Sequence, residues 1–369
     1  MNISILGYYT TAIGELWDRS LDSLFQEAQE GAIKKAEIDA HQVEAVFVAN
    51  KAAGSFSGQR HLSALISEMF DHCPPAMRVE GACASGGLAT LAARQALQSG
   101  EYQTVMVIGA EKMTDSTVAE TTSVLSSAAN FDNEHGSTFP GLYALLAVAH
   151  QRQFGTTREQ LSAVAVKNHR HALQNPLAQY QAELTIEQVS SSQLVADPLR
   201  LLDCSPVSDG ASAIILSTKK VGKKPKIIGW GHAQDSLDLA GRKKLTELKA
   251  TCLAAKKAYD IAGKKPRDIQ QAEVHDCFTI AEIMAIEDLG FFKKGKGGVA
   301  TANNQTTLGA SLVVNGSGGL KAFGHPVGAT GLKQIAYLAS QVEKGQCDLA
   351  LAHNVGGSGA TAVVHIISH

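Results

Sequence analysis

No CxxC pair occurs, and the six cysteines present (Cys73, Cys83, Cys204, Cys252, Cys277 and Cys347) are thinly spread over 369 residues. This excludes a dense secreted disulfide framework and gives no sign of a zinc ribbon, so free thiols, no metal centre and a reducing cytoplasm are expected. Long apolar runs are missing too. No stretch approaches the length of a membrane span, and "MNISILGYYTT" opens like a strand rather than with the basic and apolar regions of a secretory signal. The closing "IISH" is not a peroxisomal address. An excess of one charge is also lacking: 33 Lys and Arg stand against 35 Asp and Glu, which argues against nucleic acid or an anionic membrane as the main partner. Proline is scarce at 9 residues against 34 glycines. That balance points to tight turns and to places where bare backbone approaches a ligand.

What the chain does contain is a repeat. "ISILGYYT" leads into a helical stretch from Ser20 to Lys35, with Leu21, Leu24 and Phe25 on one face, and then into "VEAVFVAN"; "PKIIGWGH" leads through "LKATCLAAKKAYDIAG" into "QAEVHDCF". A second match is closer. "GGLATLAARQALQSGEYQTVMVIGA" and "GATGLKQIAYLASQVEKGQCDLALAH" both read as glycine turn, helix, stop and strand. Ala89, Ala92, Ala93 and Ala96 in the first helix, and Leu332, Ile335, Ala336 and Ala339 in the second, form helical apolar stripes. "GASAIILS" and "GATAVVHI" supply closing strands. These patterns predict a duplicated α/β chain, with one half over residues 1–218 and the other over 219–369. The stretch from about 112 to 203 has no counterpart in the second half and reads as an insertion over the site. The lysine-rich residues 242–266 read as a solvated helix face.

Four segments carry chemistry. In "GACASGG", Cys83 falls where a glycine turn meets a helix start, either as a small residue in a crowded turn or as a thiol whose thiolate the helix dipole favours. In "GGLKAFGHPVGATG", His325 occupies the nearly equivalent place in the second half, and a histidine within reach of a cysteine generates a thiolate nucleophile. "HDCF" ends an apolar strand with His275 and Cys277, at the strand edge where α/β sheets bind ligands. "HNVGGSG" places Gly356 and Gly357 after another strand, where N–H groups could face an oxyanion.

With "CASGG", "SPVSDGASA", "GHPVGATG" and a terminal glycine loop, the sequence resembles a thiolase over essentially its whole length. "HDCF", "FPGLYALLA" and "LLDCSPVSDG" bring it nearest to the branch of sterol-carrier-protein-associated thiolases and archaeal acetoacetyl-CoA thiolases. The resemblance implies two βαβαβαββ halves in a five-layered αβαβα core with an inserted loop domain. It implies an acetyl-CoA acyltransferase that condenses or cleaves 3-ketoacyl-CoA reversibly through an acyl group on Cys83, with coenzyme A and acyl-CoA as substrates and no further cofactor. Asn354 stands where ordinary thiolases carry a second cysteine in a CxGGG loop; in the resembling branch that role falls to the cysteine of HDCF, here Cys277. His325 and His275 would hold an enolate oxygen, and the N–H groups of Cys83 and Gly356 a tetrahedral oxygen. Cys204, Ser205, Val207 and Thr330 would meet the pantetheine chain. A partly desolvated Cys277 would titrate near working pH.

In "VKNHRHAL", Lys167, His169 or Arg170 would meet CoA phosphates or form a solvated face. Cys73, Cys252 and Cys347 match no motif and read as structural thiols. The family implies a homodimer or homotetramer and the possibility of an OB-fold or hydroxymethylglutaryl-CoA synthase partner. Two other readings stand beside this one: a ketoacyl-synthase-like condensing enzyme, and a thiolase-like acyltransferase or scaffolding subunit of a complex.

Overall fold

A computed structural model describes residues 3–219 and 222–369 and shows one topology used twice. The first half runs β1 (Ile3–Thr10), α1 (Leu21–Ala36), β2 (Ala45–Ala49), α2 (Ala53–Phe56), α3 (Leu62–Ser67), β3 (Ala76–Val79), α4 (Ser85–Ser99) and β4 (Thr104–Glu111). Four helices follow, α5 (Val118–Ser126), α6 (Phe139–Phe154), α7 (Arg158–Ala172) and α8 (Ile186–Ser191), with a short ribbon of β5 (Leu194–Ala196) and β6 (Leu199–Arg200). β7 (Gly210–Ser217) then closes the first sheet. The second half runs β8 (Lys226–Gln234), α9 (Lys249–Ala262), β9 (Gln271–Glu273), α10 (Thr279–Asp288), α11 (Gly297–Ala302), β10 (Val313–Val314), α12 (Gly319–Phe323), α13 (Thr330–Glu343), β11 (Leu349–Gly356) and β12 (Thr361–Ser368).

Strand order is β3-β2-β4-β7-β1 in one half and β10-β9-β11-β12-β8 in the other. Position by position these are the same order, and the parallel and antiparallel pairings also match. The halves join edge to edge where Ile3 and Ser4 pair with Ile227 and Lys226. β4 and β11 are buried at every residue, because helices cover both faces of their sheets, so neither needs an alternating pattern.

The layers follow from the packed clusters. α4 and α13 share one core with the inner faces of both sheets, through Ala89, Ala93, Leu332, Ile335, Val107 and Ala350. α1 and α3 cover the outer face of the first sheet, while α9 and α10 cover the second. The result is the five-layered αβαβα arrangement. The starts of the two central helices touch: a Cβ added to Gly86 would lie 2.9 Å from the backbone nitrogen of Gly331. Only glycine permits that approach, and it brings the residues before each helix to a common point.

The inserted helices α6 and α7 pack their apolar faces on α10, Leu142, Leu146, Leu161 and Val164 against Ile280, Ile283 and Met284. The expectation for "VKNHRHAL" fails for Lys167 and His169, while Arg170 is exposed as a solvated face requires. Lys167 is buried in an ion pair with Glu282 (2.6 Å), and His169 is buried and stacked on Tyr180. Neither faces solvent or can reach a phosphate, because the α7 surface that carries them is the one turned to the second half. The lysine-rich stretch divides. Lys249, Lys256 and Lys257 are exposed on or beside α9, but Arg242 is buried and clamps the terminal glycine loop, donating to the Ser358 carbonyl (2.8 Å) and hydroxyl (3.1 Å). Among the described residues no helix is long and apolar enough to cross a membrane.

Candidate active site

Cys83 lies two residues before α4 in a turn that is itself constrained. Ala82 adopts a left-handed φ of 52°, which costs a non-glycine residue roughly 1–3 kcal/mol unless its surroundings fix it. Ser85 does so, its hydroxyl accepting from the Gly81 N–H (3.0 Å) and donating to the Ala82 carbonyl (2.6 Å). The opposing loop is held as firmly. The Ser208 hydroxyl accepts the His325 N–H (2.8 Å) and donates to Gln179 (2.6 Å), and buried Glu111 ties Gly328 to Lys51 and Ala52 through three backbone N–H groups.

These anchors bring together residues distant in sequence. One side-chain N or S atom from each of Cys83, His275 and His325 lies within 4.8 Å of the others, and this is the one set of His, Cys, Asp or Glu among the described residues spaced closely enough to hold a metal ion. A thiol and two imidazoles are donor types a zinc ion accepts. The imidazole rings stand edge to face at 5.1 Å between centroids. All three residues line a cavity of about 160 Å3, together with Cys277, Tyr143, Cys204, Ser205 and Val207. Asp276 anchors the "HDCF" turn by accepting from Leu320 N–H (2.6 Å) and the Asn168 amide (2.7 Å). The Cys277 carbonyl accepts the Ser205 N–H (2.9 Å), stitching "DCSPVS" to "HDCF".

Electrostatics corrects one expectation. Cys83 was expected to favour its thiolate, but burial pushes the thiol up to about 11, against the opposing pull of Lys51 and of the N–H groups of Gly357 and Cys83. Cys277, expected to titrate near working pH, is instead driven well above its ordinary range, again by burial, with Tyr143 as a hydrogen-bond partner opposing the rise. His325 is pushed down to about 3 by burial and by Lys333. Burial, His325, His353 and Lys333 take His275 well below its usual value. Desolvation penalises every charged form here, so the resting site holds two thiols and two neutral imidazoles.

Two nominated residues sit differently from their expected roles. Thr330 is fully buried and does not line the cavity. Its hydroxyl lies 3.0 Å from the Pro326 carbonyl and 2.7 Å from His325 Nδ1. Giving its single proton to the carbonyl, the hydroxyl accepts from Nδ1–H, which satisfies both bonds and leaves the lone pair of His325 on Nε2. Gly356 is the last residue of β11, paired with Thr361; the N–H that reaches the Cys83 sulfur belongs to Gly357, whose φ of +63° turns the chain. Replacing Thr330 with valine removes the Nδ1 acceptor while keeping the shape. We expect turnover to fall about 10- to 100-fold, the cost of one buried unsatisfied donor, with Thr330→Ser largely restored. Steady-state rates and the rate of Cys83 alkylation check this.

Sequence reasoning missed Tyr143 and the place of Asn354. The Tyr143 hydroxyl donates to the Gly357 carbonyl (3.2 Å), and its ring packs on Phe278 at 4.6 Å. The "FPGLYALLA" segment that contains it carried a resemblance but no chemical signal of its own. Asn354 is buried between Cys83, Gly87 and His275.

Comparison with known proteins follows these lines. Residues 3–220 match the family described as "Thiolase, N-terminal domain", and residues 231–369 match "Thiolase C-terminal domain-like". An acetyl-CoA acetyltransferase of Methanothermobacter thermautotrophicus is 43% identical, covering 100% of this chain and 99% of its own. Bovine sterol carrier protein 2 is 32% identical over 94% of this chain and 68% of its own length. Among solved structures, an Ltp2-ChsH2(DUF35) aldolase superposes with a TM-score of 0.84 at 24% identity, covering 100% of this chain and 97% of that one. Human mitochondrial 3-ketoacyl-CoA thiolase gives 0.78 at 18%, covering 100% and 98%.

Proposed function

The chain belongs to the thiolase family and is an acyltransferase, and on that premise we propose that Cys83, Cys277, His275 and His325 carry out reversible thiolysis of a short 3-ketoacyl-CoA such as acetoacetyl-CoA. The observation that carries this is the convergence of two thiols and two neutral imidazoles on one cavity lined by "CSPV". A space of about 160 Å3 suits an acyl group of a few carbons.

In the cleaving direction His325 Nε2 takes the Cys83 proton as sulfur attacks the C3 carbonyl. The N–H groups of Cys83 and Gly357 face the oxyanion that forms there. The C2–C3 bond then breaks, leaving an acyl group on Cys83 and the enolate of acetyl-CoA. His275 donates a hydrogen bond to the enolate thioester oxygen, and Cys277, held as a thiol, protonates its carbon. The resting protonation of Cys277 therefore fits this half-reaction. Coenzyme A then gives its thiol proton to the Cys277 thiolate and attacks the acyl group. Cys83 leaves as thiolate and recovers its proton from His325. The Cys83 proton has returned from His325, the Cys277 proton stays on the carbon of acetyl-CoA and is replaced by that of coenzyme A, and condensation is the same path reversed.

A tightly bound donor at each oxyanion is worth about 3 kcal/mol of barrier. The test is direct. Wild-type protein mixed with acetoacetyl-CoA and quenched in acid should yield a Cys83 peptide that carries acetyl, and added coenzyme A should remove it. Cleavage of acetoacetyl-CoA with Cys83 unlabelled would sink the assignment, as would a label on another residue.

A further inference from the structure

Two histidines share the cavity, and the partners of their Nδ1 atoms are of opposite kinds. Behind His325 stands a hydroxyl, which can accept. Behind His275 stands the Asn354 side chain, its Nδ2 3.4 Å from Nδ1. The orientation of that amide is fixed by two neighbours that have no choice of role. Oδ1 accepts the backbone N–H of Gly87 (3.0 Å), and Nδ2 donates to the backbone carbonyl of Cys83 (2.8 Å). Reversing the amide would set oxygen against a carbonyl and NH2 against an N–H, losing both bonds. The space is shaped for this group: a Cβ on Gly331 would meet Oδ1 at 2.4 Å, and one on Gly87 at 3.2 Å. Asn354 is itself buried in β11 and cannot turn toward water.

With Oδ1 committed, the second proton of Nδ2 is what faces His275. A ring nitrogen opposite an N–H donor must present its lone pair, so the proton of the neutral ring sits on Nε2. The one side-chain hydrogen bond of His275 among the described residues is at Nδ1, and the residue lines the cavity.

We propose that Asn354 is a positioning residue that locks His275 in the Nε2–H tautomer, making it a fixed hydrogen-bond donor to the substrate oxygen while His325 presents a lone pair. The inference rests on the thiolase reading for the substrate and on geometry alone for the tautomer. The same amide holds the Cys83 carbonyl, so one side chain aligns the nucleophile's turn with the donor across from it. An aspartate at this position keeps an acceptor for Gly87 but turns an oxygen toward Nδ1, which forces the proton onto that atom.

The experiment uses full-length protein labelled with 15N-histidine, with long-range proton–nitrogen correlation spectra assigned by comparison with His275→Gln. The wild type should show His275 protonated on Nε2, and Asn354→Asp should show it protonated on Nδ1. In the same variant, exchange of acetyl-CoA α-protons with D2O, which reports enolate formation, should fall on the order of 100-fold, the usual loss of one oxyanion donor. A wild type that cleaves acetoacetyl-CoA while His275 carries its proton on Nδ1 overturns the proposal and leaves the functional reading intact. A wild type without thiolase turnover overturns both. Because the wild-type spectrum by itself decides the tautomer once His275→Gln has assigned it, poor folding of Asn354→Asp does not remove the test.

Discussion

Replacing Cys83 with alanine is expected to abolish both acyl loading and turnover, whereas Cys277→Ala abolishes turnover but still acquires an acyl group on Cys83. The asymmetry follows from the order of events. Cys83 forms the bond to the acyl carbon, so without it no covalent intermediate exists, and a loss on the order of 10^4-fold or more is expected when a nucleophile acting within such a unit is removed. Cys277 moves a proton to or from carbon, a contribution of roughly 10^2 to 10^4. Acetyl-CoA alone can acylate Cys83 without a proton moving at carbon, because coenzyme A can leave as a thiolate and take its proton from water when Cys277 is missing. The measurement pairs coupled thiolysis of acetoacetyl-CoA with mass analysis of the Cys83 peptide. An active Cys277→Ala protein would remove the proton-transfer role. An inactive one that cannot be acylated would show that Cys277 acts earlier than proposed.

Acidification is expected to destabilise the fold steeply between about pH 6.5 and 5. Burial lowers His169 to about 4 and His171, His325, His353 and His365 to about 3, and takes His275 well below the ordinary range. In the unfolded chain each titrates near 6.5, so below that pH the unfolded state binds up to six protons that the folded state refuses. Four buried carboxylates act in the opposite sense: Asp276 raised to about 6, Glu273 to about 7, and Glu111 and Asp288 raised by burial. These hold protons in the folded state that the unfolded one has released. The six histidines outnumber these carboxylates, so unfolding takes up protons on balance and stability falls as pH drops below about 6.5. Urea midpoints by circular dichroism at pH 7 and pH 5 measure it; a midpoint unchanged or higher at pH 5 contradicts the neutral burial of these rings.

Much of this architecture was legible in the chain because duplication writes itself as order. The matched runs around Ala89 and Leu332 located the two central helices, and both proved to share one core. Cys83, Cys277, His275 and His325 could be nominated from their motifs, since each follows a strand or precedes a helix. What sequence could not supply was the third dimension of small groups. The resemblance nominates Thr330 as a pantetheine contact, yet its hydroxyl is spent on a carbonyl and an imidazole four and five residues back. Lys167 and His169 looked like surface charge because α7 carries cations on several sides, and only packing on α10 decides which side is inside. The protonation of Cys83 was misjudged for a similar reason. A helix start favours a thiolate, but how much water reaches the sulfur depends on walls contributed by α5 and α6, far along the chain.

The meeting of Gly86 with Gly331 bears on how such a molecule can change over time. Duplicated halves are ordinarily free to drift apart, each exploring substitutions the other need not follow. Here the point of contact is bare backbone on both sides, Gly86 three residues beyond the nucleophile in one half and Gly331 six beyond the histidine in the other. A methyl gained by either partner displaces the other's helix, and with it the reactive group that helix carries. The two copies thus share one constraint at the place where they became interdependent.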